Sequence, residues 1–364
     1  MNLRFLSLIR LSLFCMVPFL FAAKNELKTK PYEDYRVKKV LQLTIDSSIN
    51  PATFNYFESG YKKAEAQGFS LVVIKINTPG GLVSTTKQIL TLMGSSSIPT
   101  VVWVSPEGAS ATSAGAIIAA GSHVLVMSPG TNIGAATPVQ MQSKDMGKDL
   151  KNKAVNDLVA LVHSLAEARG RNPKLFGKMI KDASSYTAKE AKKNNIIEGI
   201  VNSDQELMKL IHKKKFRIQN QDKVFRVAKN YMINSFEMDL GQKLLNVLAN
   251  PNMAYVSFLI GAALLYLEFQ TAGGMVAGAI GVLFLILAAI GFQVLPLNFG
   301  ALGLIILSFF LFILEAYVVS YGILSLSGLA ALVAGSLFLF RTDDAYLEVS
   351  RSLIFTAAGI IGLF

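Results

Sequence analysis

The feature that most constrains this chain is how unevenly its charge is placed. Lysines and arginines crowd residues 24–250, whereas residues 253–340 carry only Glu268 and Glu315. Four apolar runs fill that second stretch, Ala254–Phe269, Met275–Leu295, Ala301–Ser320 and Ile323–Phe340, separated by Gly, Pro and Asn. Each approaches the ~20 residues needed to cross a bilayer, so four transmembrane helices are predicted. Leu353–Phe364 reads as the start of a fifth, and the chain stops inside it, as expected of a truncated sequence. An acid inside a span is costly and often functional, whereas one at a helix end reaches the interface. Both readings are open for Glu268 and Glu315.

At 364 residues, with 52% hydrophobic content and a mean hydropathy of +0.44, the chain exceeds one ordinary domain and is too apolar to be purely soluble. The net charge of +11 belongs mainly to the first part. There it suits an anionic membrane surface at least as well as nucleic acid. No stretch interleaves basic and aromatic residues as base-reading motifs do, so no nucleic-acid partner is expected. Cys15 is the one cysteine, which excludes an intramolecular disulfide and a cysteine-rich zinc site. No metal or cofactor is expected. Met1–Ala23 has Arg4 and Arg10, the apolar run Leu11–Phe21 and then Ala22-Ala23, the pattern of a secretory signal peptide. An uncleaved anchor is the alternative. The sequence thus divides into a signal at 1–23, a globular domain at 24–235, a linker helix at 236–252 and a membrane domain at 253–364.

From Val37 strands and helices alternate: Val40–Ile45, Pro51–Gln67 closed by Gly68, Leu71–Ile76, Leu82–Met93, Thr100–Val104. This alternation predicts an α/β domain on a parallel sheet with right-handed crossovers, whose sites lie beyond the carboxyl ends of the strands. Three glycine- and proline-rich loops belong there: Asn77–Gly81, Ser105–Thr112 and Ser128–Gly134. No G-x-x-x-x-G-K-[ST] or G-x-G-x-x-G is present, which removes the usual phosphate-binding signatures. Further on, a helix at Lys148–Gly170, a segment Lys174–Ala183, a helix at Ala188–Lys193, a strand at Ile196–Val201, a helix at Asp204–Lys213 and a small hairpin in Lys214–Val227 are predicted. Leu240–Leu248 leads towards the membrane.

Ser113 stands where the buried run Thr100–Val104 and its loop give way to the small-residue helix Ser113–Gly121. The partial positive charge and free N–H groups of a helix N-terminus can stabilise an alkoxide or oxyanion beside that hydroxyl. Serine is also a common helix N-cap, so the stretch alone does not establish catalysis. Ser110 is a rival, but it lies in the loop with no helix directly behind it. The histidines offer little as bases: His123 opens the run VLVM, His163 lies inside a helix, and His212 sits among lysines. A lysine can act as base if desolvation brings its pKa from ~10.4 to about 7–8, at about 4 kcal/mol. Lys153, Lys151 and Lys148 are equal candidates on periodicity, and a lysine at the edge of an apolar stripe ordinarily snorkels to water.

Thr78-Pro79-Gly80-Gly81, Ser113-Ala114-Gly115, Met127-Ser128-Pro129-Gly130-Thr131, Gly134-Ala135-Ala136 and Lys153-Ala154-Val155-Asn156-Asp157 occur in this order, followed by Ala166–Asn172, Ala183-Ser184-Ser185 and Ala188–Ala191. With the membrane block, including Leu267-Glu268 and Glu315-Ala316, the chain resembles the NfeD-family membrane-bound serine proteases of the ClpP class over roughly residues 37–340. The resemblance implies a ClpP/crotonase-type α/β domain followed by an all-α transmembrane domain. It also implies a dyad of Ser113 as nucleophile and Lys153 as general base. The N–H groups of Gly81 and Ala114 are the expected oxyanion hole, and Gly80, Leu82 and Gly134 are expected to shape the site or bind substrate. Asn77 replaces an acid that many relatives carry before TPGG, and Thr271–Gly274 replaces a Pro-Gly turn. The soluble C-terminal β-barrel of longer relatives is not in this sequence.

The implied partners are stomatin-like membrane proteins, the lipid bilayer and further copies of the chain in a homo-oligomer, with apolar protein segments as substrate. The signal peptide, with Ala254–Phe269 as stop-transfer, predicts a multi-pass protein of the bacterial inner membrane with its protease domain outside the cytoplasm. The connecting loops hold too few basic residues for the positive-inside rule to speak. A catalytically silent scaffold of the same fold is the alternative reading. A crotonase-fold acyl-CoA enzyme conflicts with the secretory signal.

Overall fold

The computed structural model describes residues 32–137, 148–270, 275–318, 320–340 and 348–362. The signal-peptide reading of 1–23 and the Thr271–Gly274 turn lie outside that set. In the globular part β1 (Glu33–Asp46), β2 (Leu71–Asn77), β3 (Thr100–Val104) and β5 (Val124–Met127) run parallel, as the alternation predicts. Between them run the helices α1 (Pro51–Ala66), α2 (Val83–Ser95) and α3 (Ala114–Gly121). Successive side chains of a strand face opposite ways, and here both faces are covered. Val72, Ile74 and Ile76 meet the core under α1, α2 and α3, and Leu71 and Val73 meet a second core.

The first core also takes α4 (Lys148–Ala168), α5 (Pro173–Lys181) and α6 (Ala188–Lys193) through Leu158, Val162, Phe176 and Ala191. The second is closed by α7 (Asp204–Ile211) through Leu207, Met208 and Ile211. Short β8 (Gly199–Ile200) edges the sheet beside β5, where a strand over Ile196–Val201 is expected.

Two parts of the topology differ from the sequence reading. The hairpin of β9 (Lys215–Ile218) and β10 (Gln221–Phe236) is larger than Lys214–Val227, because β10 runs on to Phe236 and pairs parallel with β1. The sheet order becomes β8-β5-β3-β2-β1-β10-β9. A second sheet of three-residue strands, β4 (Ser110–Thr112), β6 (Asn132–Gly134) and β7 (Ser185–Thr187), stands over the carboxyl ends in the order β4-β6-β7. It occupies two of the loops that sequence pattern leaves irregular.

A short helix α8 (Leu240–Leu248) leads into α9 (Pro251–Gln270), α10 (Val276–Val294), α11 (Phe299–Tyr317), α12 (Ile323–Leu337) and α13 (Arg351–Ile361). Among the described residues α9 and α10 are long and apolar enough to cross a membrane, and the apolar stretches of α11, α12 and α13 are shorter. The helices form two close hairpins. A methyl on Gly261 of α9 would come within 2.8 Å of the Gly281 carbonyl of α10, and one on Gly335 of α12 within 2.7 Å of the Ala301 carbonyl of α11. Tyr255 and Ser336 join the hairpins through a 2.7 Å hydroxyl contact.

The two acids of the apolar helices share one structural role. Glu268, near the end of α9, accepts the Gly278 N–H at the start of α10. Glu315, near the end of α11, accepts from Ser320 Oγ and from the N–H groups of Gly322 and Ser325 at the start of α12. Each carboxylate satisfies N–H groups that a helix start leaves without partners, where negative charge is also favoured.

Candidate active site

Ser113 directly follows β4 and caps α3 with φ 52° and ψ −116°, a backbone conformation that non-glycine residues rarely adopt. The strain is held by pairing on several sides. Ser113 N–H donates to the Gly134 carbonyl at 3.0 Å, while Ser110 and Thr112 bond to the Thr78 backbone at 2.8 and 3.1 Å. The turn Thr78–Gly81 is fixed in turn by Ile49, whose N–H donates to Gly80 O at 2.7 Å and whose carbonyl accepts Leu82 N–H at 2.9 Å. Asn77 ties the same region together, donating to Asp46 at 2.8 Å and accepting the Ser110 N–H at 3.0 Å. An acid at that position could accept from Ser110 but would face Asp46 with like charge, so the amide fits this chain.

The two glycines of the turn are dictated by close approach. A methyl at Gly80 would lie 2.6 Å from Ser113 Cβ and 3.0 Å from its hydroxyl, and one at Gly81 would overlap the Ile49 backbone. Their φ values of 131° and 150° are glycine conformations as well. Gly81 N–H and Ala114 N–H make no hydrogen bond among the described residues. The Ala114 N–H opens α3 beside the half-buried Ser113. A turn, a hydroxyl and the start of a helix therefore converge at one point, and uncommitted N–H donors there can receive developing negative charge.

Leu82 follows directly and packs against the apolar cluster of the membrane helices that includes Tyr255, Ile305 and Ile354. Gly134 lies on β6 behind Ser113, not in a free loop. Lys153 lies on the second turn of α4, exposed to solvent, and makes no hydrogen bond with Ser113 among the described residues. Asp157, one turn further on, pairs with Lys87 of α2 at 2.9 Å. The side chains of the rivals Lys148 and Lys151 lie outside the described set. Ser110 sits in β4 with its backbone committed to Thr78 and Asn77.

Two of the histidines have structural hydrogen bonds. His123 Nδ1 accepts the Thr100 N–H at 3.0 Å, and His212 Nδ1 accepts the Val227 N–H at 3.2 Å. Burial, reinforced by Arg169 and Arg171, lowers the pKa of His123 to about 3, so it stays neutral at pH 7. No group of His, Cys, Asp and Glu that could hold a metal exists among the described residues. Sequence reasoning missed Ile49 and the tying role of Asn77. Ile49 has no local signature, since its part is played by backbone atoms across 31 residues or more of chain.

Known proteins resemble this chain in sequence and fold. The N-terminal domain of NfeD1b matches residues 39–221, and the NfeD integral membrane domain matches residues 252–364. Membrane-bound protease PH1510 of Pyrococcus horikoshii is 32% identical over 332 residues, covering 88% of this chain and 74% of that protein. Membrane protein NfeD1b of Bacillus subtilis is 25% identical over 339 residues, covering 89% of this chain and 72% of that one. The 1510-N membrane-bound stomatin-specific protease, solved as a serine-to-alanine mutant, is 29% identical with a TM-score of 0.52, covering 56% of this chain and 99% of its own. Its lysine-to-alanine mutant in complex with a substrate peptide has a TM-score of 0.53 at 29% identity, covering 58% and 97%. On its sequence, its α/β fold and its apolar helices, the chain belongs to the NfeD family and is a membrane-bound serine protease.

Proposed function

We propose that Ser113 is the nucleophile of this protease, Lys153 its general base, and the Gly81 and Ala114 N–H groups its oxyanion hole. The observation that carries this reading is the strained Ser113 wedged on Gly80, with uncommitted N–H donors beside it. Neutral Lys153 takes the hydroxyl proton as Oγ attacks the peptide carbonyl carbon, and the carbonyl oxygen becomes an oxyanion held by the two N–H groups. The protonated lysine gives its proton to the leaving amine, and water then hydrolyses the acyl-serine by the same route. This requires Lys153 Nζ within hydrogen-bond reach of Ser113 in the working enzyme. Catalytic hydrogen bonds often tighten only with substrate bound.

The substrate we assign is an apolar segment of a membrane-associated protein, held extended past Gly80, Leu82 and Gly134, with stomatin-like proteins as partners. Two observations support it: a relative is stomatin-specific by name, and Leu82 joins the site to the membrane helices. An active enzyme preferring charged to apolar peptides would contradict it. We place the domain on the extracytoplasmic side of a bacterial inner membrane, in a multi-pass homo-oligomer. A reporter fused after Val227 and active only in the cytoplasm, or a monomer by light scattering in detergent, would oppose these parts.

The dyad is tested with a fluorophosphonate probe and a peptide assay on the wild type, Ser113→Ala, Lys153→Ala and Lys153→Arg. Wild type is expected to be labelled and Ser113→Ala unlabelled. Arginine keeps the charge but does not deprotonate, so Lys153→Arg is expected to fold and lose turnover. Cleavage by Lys153→Arg near the wild-type rate would sink the assignment and make Lys151 the next candidate.

A further inference from the structure

We propose that α8 lies in the interfacial layer of the bilayer, with Leu240, Leu244 and Val247 inserted at the lipid boundary, and so fixes the catalytic domain to the membrane surface. These three residues are 86%, 45% and 51% exposed. At 100° per residue they fall within about 60° of one another, on one stripe of the helix. Exposed leucines scattered singly are ordinary on any protein. A stripe at i, i+4 and i+7 on the helix just before a membrane span is not scattered.

The opposite face of α8 is already occupied. Gln242 Nε2 donates to Ser59 Oγ of α1 at 3.2 Å, Asn246 Oδ1 accepts from Asn50 Nδ2 at 3.1 Å, and Ala249 just beyond the helix is buried. With its polar face turned to the catalytic domain, the helix can present only its apolar stripe elsewhere. What lies there follows from the helix's level relative to the spans. The end of α8 abuts α10, where a methyl on Gly291 would come within 2.7 Å of the Leu248 carbonyl. Gly291 is about 4.5 Å from the end of α10 at 1.5 Å per residue, and α9 starts at Pro251. The Val247 end of the stripe therefore sits level with the last turn of one span and the first of another. Interfacial helices bury their apolar face about 5–10 Å into that layer. The neighbouring Lys243 is exposed and paired with Glu237 at 3.6 Å, as suits a residue at the watery edge of the stripe.

The test uses the full chain with Cys15→Ser, in lipid nanodiscs, spin-labelled at Leu240→Cys, Leu244→Cys or Val247→Cys, with Lys62→Cys on α1 as the aqueous reference. Oxygen, which partitions into lipid, is expected to reach the three stripe labels better than a water-soluble nickel chelate, and the ratio is expected to reverse at Lys62→Cys. Nickel access at all three positions equal to that at Lys62→Cys would overturn the proposal. Shielding from both agents, with dipolar broadening that disappears on dilution with unlabelled chain, would overturn it in favour of a second copy. Leu244→Trp keeps the position apolar and gives an independent readout. Quenching of its added fluorescence by lipids brominated near the headgroup supports insertion, and no quenching speaks against it.

Discussion

Ser113 and Lys153, the two halves of the proposed dyad, are held in opposite ways. The serine is fixed by backbone: a carbonyl of Gly134 behind it, Thr78 pairing with its strand, Gly80 pressed against its side chain and Ile49 behind the glycines. The lysine is exposed on a helix whose later turns are anchored by Leu158, Val162 and Ala166, but whose earlier part meets α2 through the surface pair of Lys87 and Asp157. The proposed nucleophile's geometry therefore tolerates no added atom, while the proposed base's geometry depends on an exposed side chain. The difference teaches that one half of the site is preorganised by the fold and the other is brought to it.

Gly80→Ala strikes the rigid half and has the largest expected effect. Because the new methyl would meet Ser113 at 2.6 Å, serine or turn must shift. A displacement of about 1 Å at a reacting atom costs on the order of 100-fold in rate. Peptide turnover is expected to fall at least that far while the membrane helices stay folded by circular dichroism. Retained activity would show that the wedge is unimportant.

Acid is expected to loosen the same half by an intermediate amount. His123 follows α3 and has a folded pKa of about 3, below its unfolded value of about 6.5. The folded state thus binds fewer protons, so this contribution is full above pH 6.5 and declines as pH falls towards 3. At pH 5 the loss is about 2 kcal/mol. The thermal midpoint is expected to drop between pH 7 and pH 5, and His123→Asn, with an acceptor but no titration, is expected to reduce the drop. Equal pH dependence in both would reject His123 as the cause.

Lys87→Ala probes the loosely held half and has the smallest expected effect. Both partners of its pair are at least half exposed, with side-chain accessibilities of 50% and 65%, and such pairs contribute about 0–1 kcal/mol. Turnover is expected to change less than fivefold with the thermal midpoint nearly constant. A collapse of activity would mean that α4 is positioned by that pair and that the contrast between the halves is too sharply drawn.

Much of this architecture was legible in residue order, and the reasons it was not all legible are physical. Thr100–Val104 and Ala188–Lys193 have the predicted bounds because their local patterns suffice. The three-residue strands β4, β6 and β7 are too short to show a period of two, and their pairing joins residues as far apart as Gly134 and Ser185. The parallel pairing of β10 with β1 joins the two ends of the globular part, which no local window contains. Ser113 and the glycine turn were legible through motif order. Their mutual contact was not, since it depends on how two loops meet.

The membrane acids show the same limit. Glu268 and Glu315 were ambiguous in sequence, and their shared use as helix caps is visible only when each hairpin is seen closed.

The seat of Leu82 on the membrane bundle has a consequence for anyone isolating the catalytic domain. Leu82 is one bond beyond Gly81 and rests on a cluster that includes Tyr255 and Ile354. Cutting the chain before α9 leaves that leucine facing water and removes on the order of 1 kcal/mol of apolar burial from the turn that carries the proposed oxyanion hole. Such a fragment is not the whole enzyme made smaller. Its turn has lost a wall, and its kinetics report on a slacker site than the one the intact chain presents at the membrane.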